Sequence, residues 1–90
     1  MSLYISSNLR NLRIFSNPRL YYSACSQKEL SKRLGIPQTR IYRLENGLCI
    51  PRIGDIISYS VYFGVSIDDI CFGIYEYRDG VLDFYENPKR

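Results

Sequence analysis

Ninety residues, 46% hydrophobic and 23% charged, make one small globular domain and exclude a disordered or multidomain chain. The net charge is +3 and there is no histidine, which removes the side chain most used for acid–base catalysis and metal binding. No apolar run approaches the ~18 residues a membrane span needs. The N-terminus MSLYISSNLRNLR lacks the apolar run and small-residue cleavage site of a signal peptide, so the expected location is the cytoplasm.

The charge is unevenly placed. Residues 1–52 carry nine basic and two acidic side chains, and residues 53–90 carry three basic and seven acidic ones. Such a split suggests one half that faces a polyanion and one that faces away from it. The alternative is a solvated surface that happens to segregate. Cys25, Cys49 and Cys71 are odd in number and widely spaced, with no CxxC pair. Structural zinc sites need tight Cys/His sets, so no metal or other cofactor is expected and the three read as buried reduced thiols.

In chain order, Leu9 and Leu12 share one helical face with Ile5 a turn earlier and Phe15 a turn later. This predicts a first helix from about Ser7, or a turn before it, to Phe15. Asn17-Pro18 breaks it, because proline disfavours a helical residue ahead of itself. PRLYYSAC follows without a clear period. Ser26-x-x-Glu29 is a capping box that opens a second helix. Leu30 and Leu34 form its inner face, and Gly35 stops it where a left-handed backbone is needed. Pro37 sits at or beside the start of a third helix, with Ile41 and Leu44 inward and Asn46-Gly47 as its end.

After the linker LCIPR, the residues Ile53, Ile56, Ile57, Ser60 and Phe63 make the inner stripe of a fourth helix, ended by Gly64. Ser66 caps a short fifth helix, with Asp68 and Asp69 favourably placed at its positive end. Asp79-Gly80 then stands between two aromatic and β-branched runs, IYEY and VLDFY, which predicts a hairpin. The alternative is a continuing amphipathic helix. A lone hairpin is marginal in water, so this one must pack on something. The chain divides into an all-α, five-helix unit over residues 1–73 and an extension over 74–90.

Residues 27–46, QKELSKRLGIPQTRIYRLEN, resemble the helix-turn-helix of the phage-repressor, Cro and Xre-type family. The pattern is apolar Leu30, small Ser31, apolar Leu34, turn Gly35, apolar Ile36, then Ile41 and Leu44. Leu12-Arg13 is similar to the family's first-helix signature. Glu45-Asn46-Gly47, Pro51 and the run to VSIDDI are similar to its closing motif, fourth helix and fifth helix. The resemblance spans about residues 7–72 and implies a lambda-repressor-like five-helix fold. It also implies that the Arg13–Glu45 pair is a structural salt bridge.

Burying Ile41 and Leu44 fixes the other faces of the third helix through the ~100° turn per residue. Gln38, Thr39, Arg40 and Arg43 then project outward. These types suit base edges in a major groove: Gln pairs with adenine, Arg with guanine, and Thr can touch the thymine methyl. Arg40 and Tyr42 could equally serve a phosphate. Gln27, Asn46, Gly47 and Arg52 lie where the family meets phosphates, and amide groups at a helix N-terminus add to such a site; Lys28 is a secondary phosphate contact or simply serves solubility. The alternative for each is an ordinary solvated helix face.

Two departures from the family stand out. The stretch from residue 16 to 25 looks like an insertion near the DNA-facing edge. Its Arg19, Tyr21 and Tyr22 either add phosphate contacts or cover the core. The tail beyond Gly73 is extra, and it is expected either to pair two subunits or to complete the core.

The expectation is therefore a dimeric, sequence-specific DNA-binding regulator, a repressor on an inverted-repeat operator of double-stranded DNA. No membrane partner or small-molecule ligand is evident. The rival is an interaction module that keeps this fold without binding DNA, which would show an apolar or acidic face over residues 38–43. An enzyme is not expected. There is no Ser-His or Cys-His pairing and no Gly-rich phosphate loop, and the acids scatter through the C-terminal half.

Overall fold

A computed structural model describes residues 4–15, 25–78 and 81–86. Of the stretch 16–25 expected to be an insertion, residues 16–24 lie outside the described residues, as does the expected Asp79-Gly80 turn. Five helices are followed by two strands: α1 (Ile5–Ile14), α2 (Gln27–Leu34), α3 (Gln38–Glu45), α4 (Ile53–Phe63), α5 (Ile67–Phe72), β1 (Gly73–Arg78) and β2 (Val81–Glu86). The strands pair antiparallel from Gly73 opposite Glu86 to Arg78 opposite Val81. The tail is thus a hairpin and not a sixth helix. No helix among the described residues is long and apolar enough to cross a membrane.

Local chemistry sets the boundaries. The Ser26 hydroxyl accepts from the Glu29 amide at 3.1 Å, and the Ser66 hydroxyl accepts from the Asp69 amide at 3.0 Å. Each satisfies one of the donors that a helix start leaves without a partner. α1 begins at Ile5, two residues before Ser7, and Pro37 stands just outside α3 as its cap residue.

Gly35 ends α2 at φ 70°, where any other residue would be strained, and its N–H donates to the Ser31 carbonyl. The Ser31 hydroxyl reaches across the turn to the Ile36 carbonyl at 2.6 Å. α4 ends the same way. Gly64 has φ 68°, and Ser60 donates its hydroxyl to the Val65 carbonyl. A serine four residues before a left-handed glycine therefore builds both turns.

Leu9, Leu12, Leu30, Ile36, Ile41 and Leu44 meet Ile56, Tyr59, Phe63, Val65, Ile70 and Tyr75 in one core. The inner stripe of α4 differs from the expected one. Ile56, Tyr59 and Phe63 are buried, whereas Ile53 and Ile57 are 64% and 43% exposed. Two adjacent isoleucines cannot both face inward on a helix, and the bulkier Tyr59 takes the inner position because its hydroxyl finds a buried acceptor in Glu45.

The hairpin completes this core through Ile74 and Tyr75, which are almost fully buried. Asn8, buried in α1, fastens it. Its amide nitrogen donates to the carbonyls of Ile70 (2.8 Å) and Gly73 (2.9 Å), and its oxygen accepts from the Tyr75 amide at 2.9 Å. Asn11 adds a bond to the Tyr75 carbonyl at 2.7 Å. Gly73 leaves no room for a side chain: a Cβ there would lie 2.1 Å from the Phe84 ring and 2.6 Å from the Asp69 carbonyl oxygen.

Candidate nucleic-acid interface

The position of α3 follows from what holds its inner face. Ile41, Leu44 and Glu45 are buried. Arg13 in α1 grips the Glu45 carboxylate from the side, Nε to both oxygens at 3.0 and 2.8 Å and Nη2 to Oε1 at 2.8 Å. Gln27 Nε2 and the Tyr59 hydroxyl also donate to it, at 3.2 and 3.3 Å. Glu45 therefore ties α3 to α1, α2 and α4 at once.

Burial works against the Arg13 charge, but the hydrogen bonds to Glu45 and its negative charge together outweigh it and leave the guanidinium pKa raised. Burial, reinforced by the Glu45 charge, pushes the Tyr59 phenol up, so it stays a donor. Arg13 also donates to the Cys25 carbonyl at 3.0 Å, while the Cys25 amide donates to the Arg13 carbonyl at 3.2 Å. These two bonds hold Cys25, just ahead of α2, against Arg13 of α1. Cys25, Cys49 and Cys71 are free and half-buried.

The outer end of α3 is held by α4. Arg40 meets Asp55 side-on, Nε to Oδ1 at 3.1 Å and Nη2 to Oδ2 at 2.6 Å. The Arg40 hydrogen bond holds the Asp55 carboxyl below the usual carboxylate range in spite of burial, helped by the Arg52 amide, which donates to Oδ2 at 2.9 Å. Asp55 is thus the N-terminal acid of α4 and the anchor for α3 together. The sequence pattern groups Arg40 with the base-reading residues. In the structure its guanidinium is already engaged, because a carboxylate with the matching two-oxygen geometry stands within reach.

The remaining outward side chains of α3 are differently placed. Gln38, Thr39 and Arg43 are exposed, and none has a side-chain hydrogen bond or ion pair with another described residue. Tyr42 is 52% exposed. Gln38, Thr39 and Tyr42 line a shallow depression together with Gln27 at the start of α2, so the structure brings these four together. Lys28 is exposed beside Gln27. Asn46 caps the end of α3 by donating to the Tyr42 carbonyl at 2.8 Å. Arg52 is exposed at the start of α4, separated from α3 by the loop that contains Gly47.

Sequence reasoning missed Asp55 and Tyr59 as supports of α3. The acid three residues after Arg52 was visible as a helix-start signal, but its partner was not. Nothing in the local pattern of Tyr59 pointed to Glu45.

Two short helices joined through a left-handed glycine, the second with a pinned inner face and a polar, cationic outer one, define a helix-turn-helix domain. The family model described as helix-turn-helix matches residues 25–70, and the chain belongs to this family, the Xre/Cro-like DNA-binding regulators. A search of curated proteins and a search of solved structures each gave no match.

Proposed function

We propose that the chain is a sequence-specific transcriptional repressor that binds an inverted-repeat operator as a homodimer, with α3 in the major groove. The observation that carries this reading is the division of labour on α3. Glu45 and Arg40 hold the helix through Arg13 and Asp55, and Gln38, Thr39 and Arg43 stand outward with no side-chain hydrogen bond or ion pair to another described residue. A reading helix needs both a fixed frame and side chains whose donors and acceptors are still available to bases.

Gln38, Thr39 and Arg43 are the base-reading residues in this account, while Gln27, Lys28, Tyr42, Asn46 and Arg52 position the backbone. Arg40 serves chiefly to orient α3. An interaction module on the same fold would offer an apolar or acidic face, and α3 offers Tyr42 as its one exposed large apolar side chain among amide, hydroxyl and guanidinium groups. A single domain reads only a few base pairs, so pairing two copies on a twofold-related site supplies the rest of the specificity. Occupying a promoter in this way is repression.

Phosphate contacts release counterions, with a log–log salt slope of about −0.9 per contact. Affinity for a mixed-sequence duplex, measured by fluorescence anisotropy across a salt series, is expected to fall steeply. A flat response would count against the reading.

A further inference from the structure

The depression at the N-terminal end of α3 is lined by Gln27 of α2 and by Gln38, Thr39 and Tyr42 of α3. Gln38 and Tyr42 stand four apart, so they share one face of the helix. Tyr42 is 52% exposed, and its hydroxyl has no hydrogen bond to another described residue. Its ring gives the depression an apolar wall between two amide side chains, and Thr39 contributes a methyl group.

We infer that this depression receives the C5-methyl group of a pyrimidine, with the Tyr42 ring against it, and that thymine supplies the methyl. This rests on the reading of α3 as the helix that enters the major groove; it names a base group read there and a further residue that reads it. Tyr42 then has two roles, its hydroxyl available to the DNA backbone and its ring to the base. Three observations support the assignment.

The first is the chemistry of the lining. None of the four side chains is charged. Gln27 gives one amide hydrogen to the buried Glu45 carboxylate at 3.2 Å and keeps the other. A phosphate seated in the depression would meet no cation and would have a carboxylate behind it. A methyl group has no charge to satisfy and gains by leaving water.

The second is position. The C5 atom of a pyrimidine lies between its hydrogen-bonding edge and its own sugar–phosphate strand. In the proposed docking Gln38 meets base edges and Gln27 meets the backbone. The depression between them faces the strip in which C5 lies, where thymine carries a methyl group and cytosine a hydrogen. At about 270 Å³ it is roomy enough for the methyl-bearing edge of one base.

The third is the neighbouring amide. Gln38 suits adenine, whose partner is thymine, so it favours A·T pairs at this end of α3.

The test uses the full chain and the duplex enriched from a random-sequence pool. Each thymine of the enriched site is replaced in turn by deoxyuridine, which removes the methyl group and keeps every hydrogen-bonding group. Each cytosine is replaced in turn by 5-methylcytosine. Affinities are read by fluorescence anisotropy for the parent, Tyr42→Phe and Tyr42→Ala, at low salt so that weakened complexes stay measurable. Tyr42 is exposed, so both variants should keep the helical circular dichroism of the parent. One thymine in each half-site is expected to lose about fourfold in affinity as deoxyuridine, the effect of burying one methyl-sized group. Tyr42→Phe should keep that loss and Tyr42→Ala should abolish it. If deoxyuridine changes nothing but a 5-methylcytosine tightens binding in the parent and not in Tyr42→Ala, the methyl site stands and thymine falls as its source. If neither base substitution changes affinity, or the deoxyuridine loss persists in Tyr42→Ala, the inference is overturned while sequence reading by α3 stands. A pool that enriches no sequence would overturn both.

Discussion

Asn8 shows how much one polar side chain can decide. It satisfies two carbonyls and one amide at the junction of α5 and β1, all buried. Truncation leaves those groups without partners in a place water does not easily reach. An unsatisfied buried group costs about 1–3 kcal/mol, so Asn8→Ala is expected to lose about 3 kcal/mol or more in urea unfolding. A loss below 1 kcal/mol would mean that the hairpin is not fastened there. On α3 the expected effects are on specificity. Arg43→Ala and Gln38→Ala should each relax preference at particular base pairs by about 1–3 kcal/mol. Gln27→Ala and Arg52→Ala should weaken matched and scrambled duplexes alike. Competition binding on both duplexes separates the two groups, and identical behaviour of all four variants would displace the proposed reading face. None of the partners of Asn8 could be read in the sequence, because they lie more than sixty positions away.

Elements whose signals are local were legible in the sequence. The capping serines Ser26 and Ser66 and the glycines Gly35 and Gly64 mark helix ends by backbone chemistry that needs no distant partner. The inner stripe of α4 was less so. Periodicity shows that Ile53, Ile56 and Ile57 lie on a helix, but which face turns inward depends on what the neighbours offer, here Glu45 to Tyr59. Repetition of the Ser-x-x-x-Gly turn at α2–α3 and α4–α5 was present in the sequence as LSKRLGI and YSVYFGV, yet its meaning emerges only when both hydroxyls are seen to cross the turn. The clamp between α3 and α4 gives an element-scale prediction. Arg40 lowers the Asp55 pKa in the folded state, so the clamp stabilises the fold at pH values above the ordinary carboxylate pKa. That contribution is lost as pH falls through the lower folded value. Asp55→Asn should therefore be less stable than the parent at neutral pH, with the gap closing in acid below about pH 4. Thermal melts from neutral pH to pH 2 would show it, and a gap that widens in acid would refute the clamp.

For the whole molecule, compactness and charge tell a consistent story. The radius of gyration is 12.1 Å, about what a 90-residue globule should have, and the hairpin belongs to that single body through Ile74 and Tyr75. The basic N-terminal half contains the two motif helices, and the exposed acids Asp68 and Asp83 lie beyond it in α5 and β2. Which side chains of α3 face outward could be read from the sequence, because burying Ile41 and Leu44 fixes the other faces of the helix. The pairing of Arg40 with Asp55 could not, since it depends on a carboxylate arriving from the next helix. The central claim is that α3 reads a defined sequence in two copies. Selection of bound duplexes from a random-sequence pool tests it most directly. The account predicts enrichment of an inverted repeat whose half-site centres lie about 10 base pairs apart, whereas a pool that stays random, or enriches a single unpaired site, would contradict it.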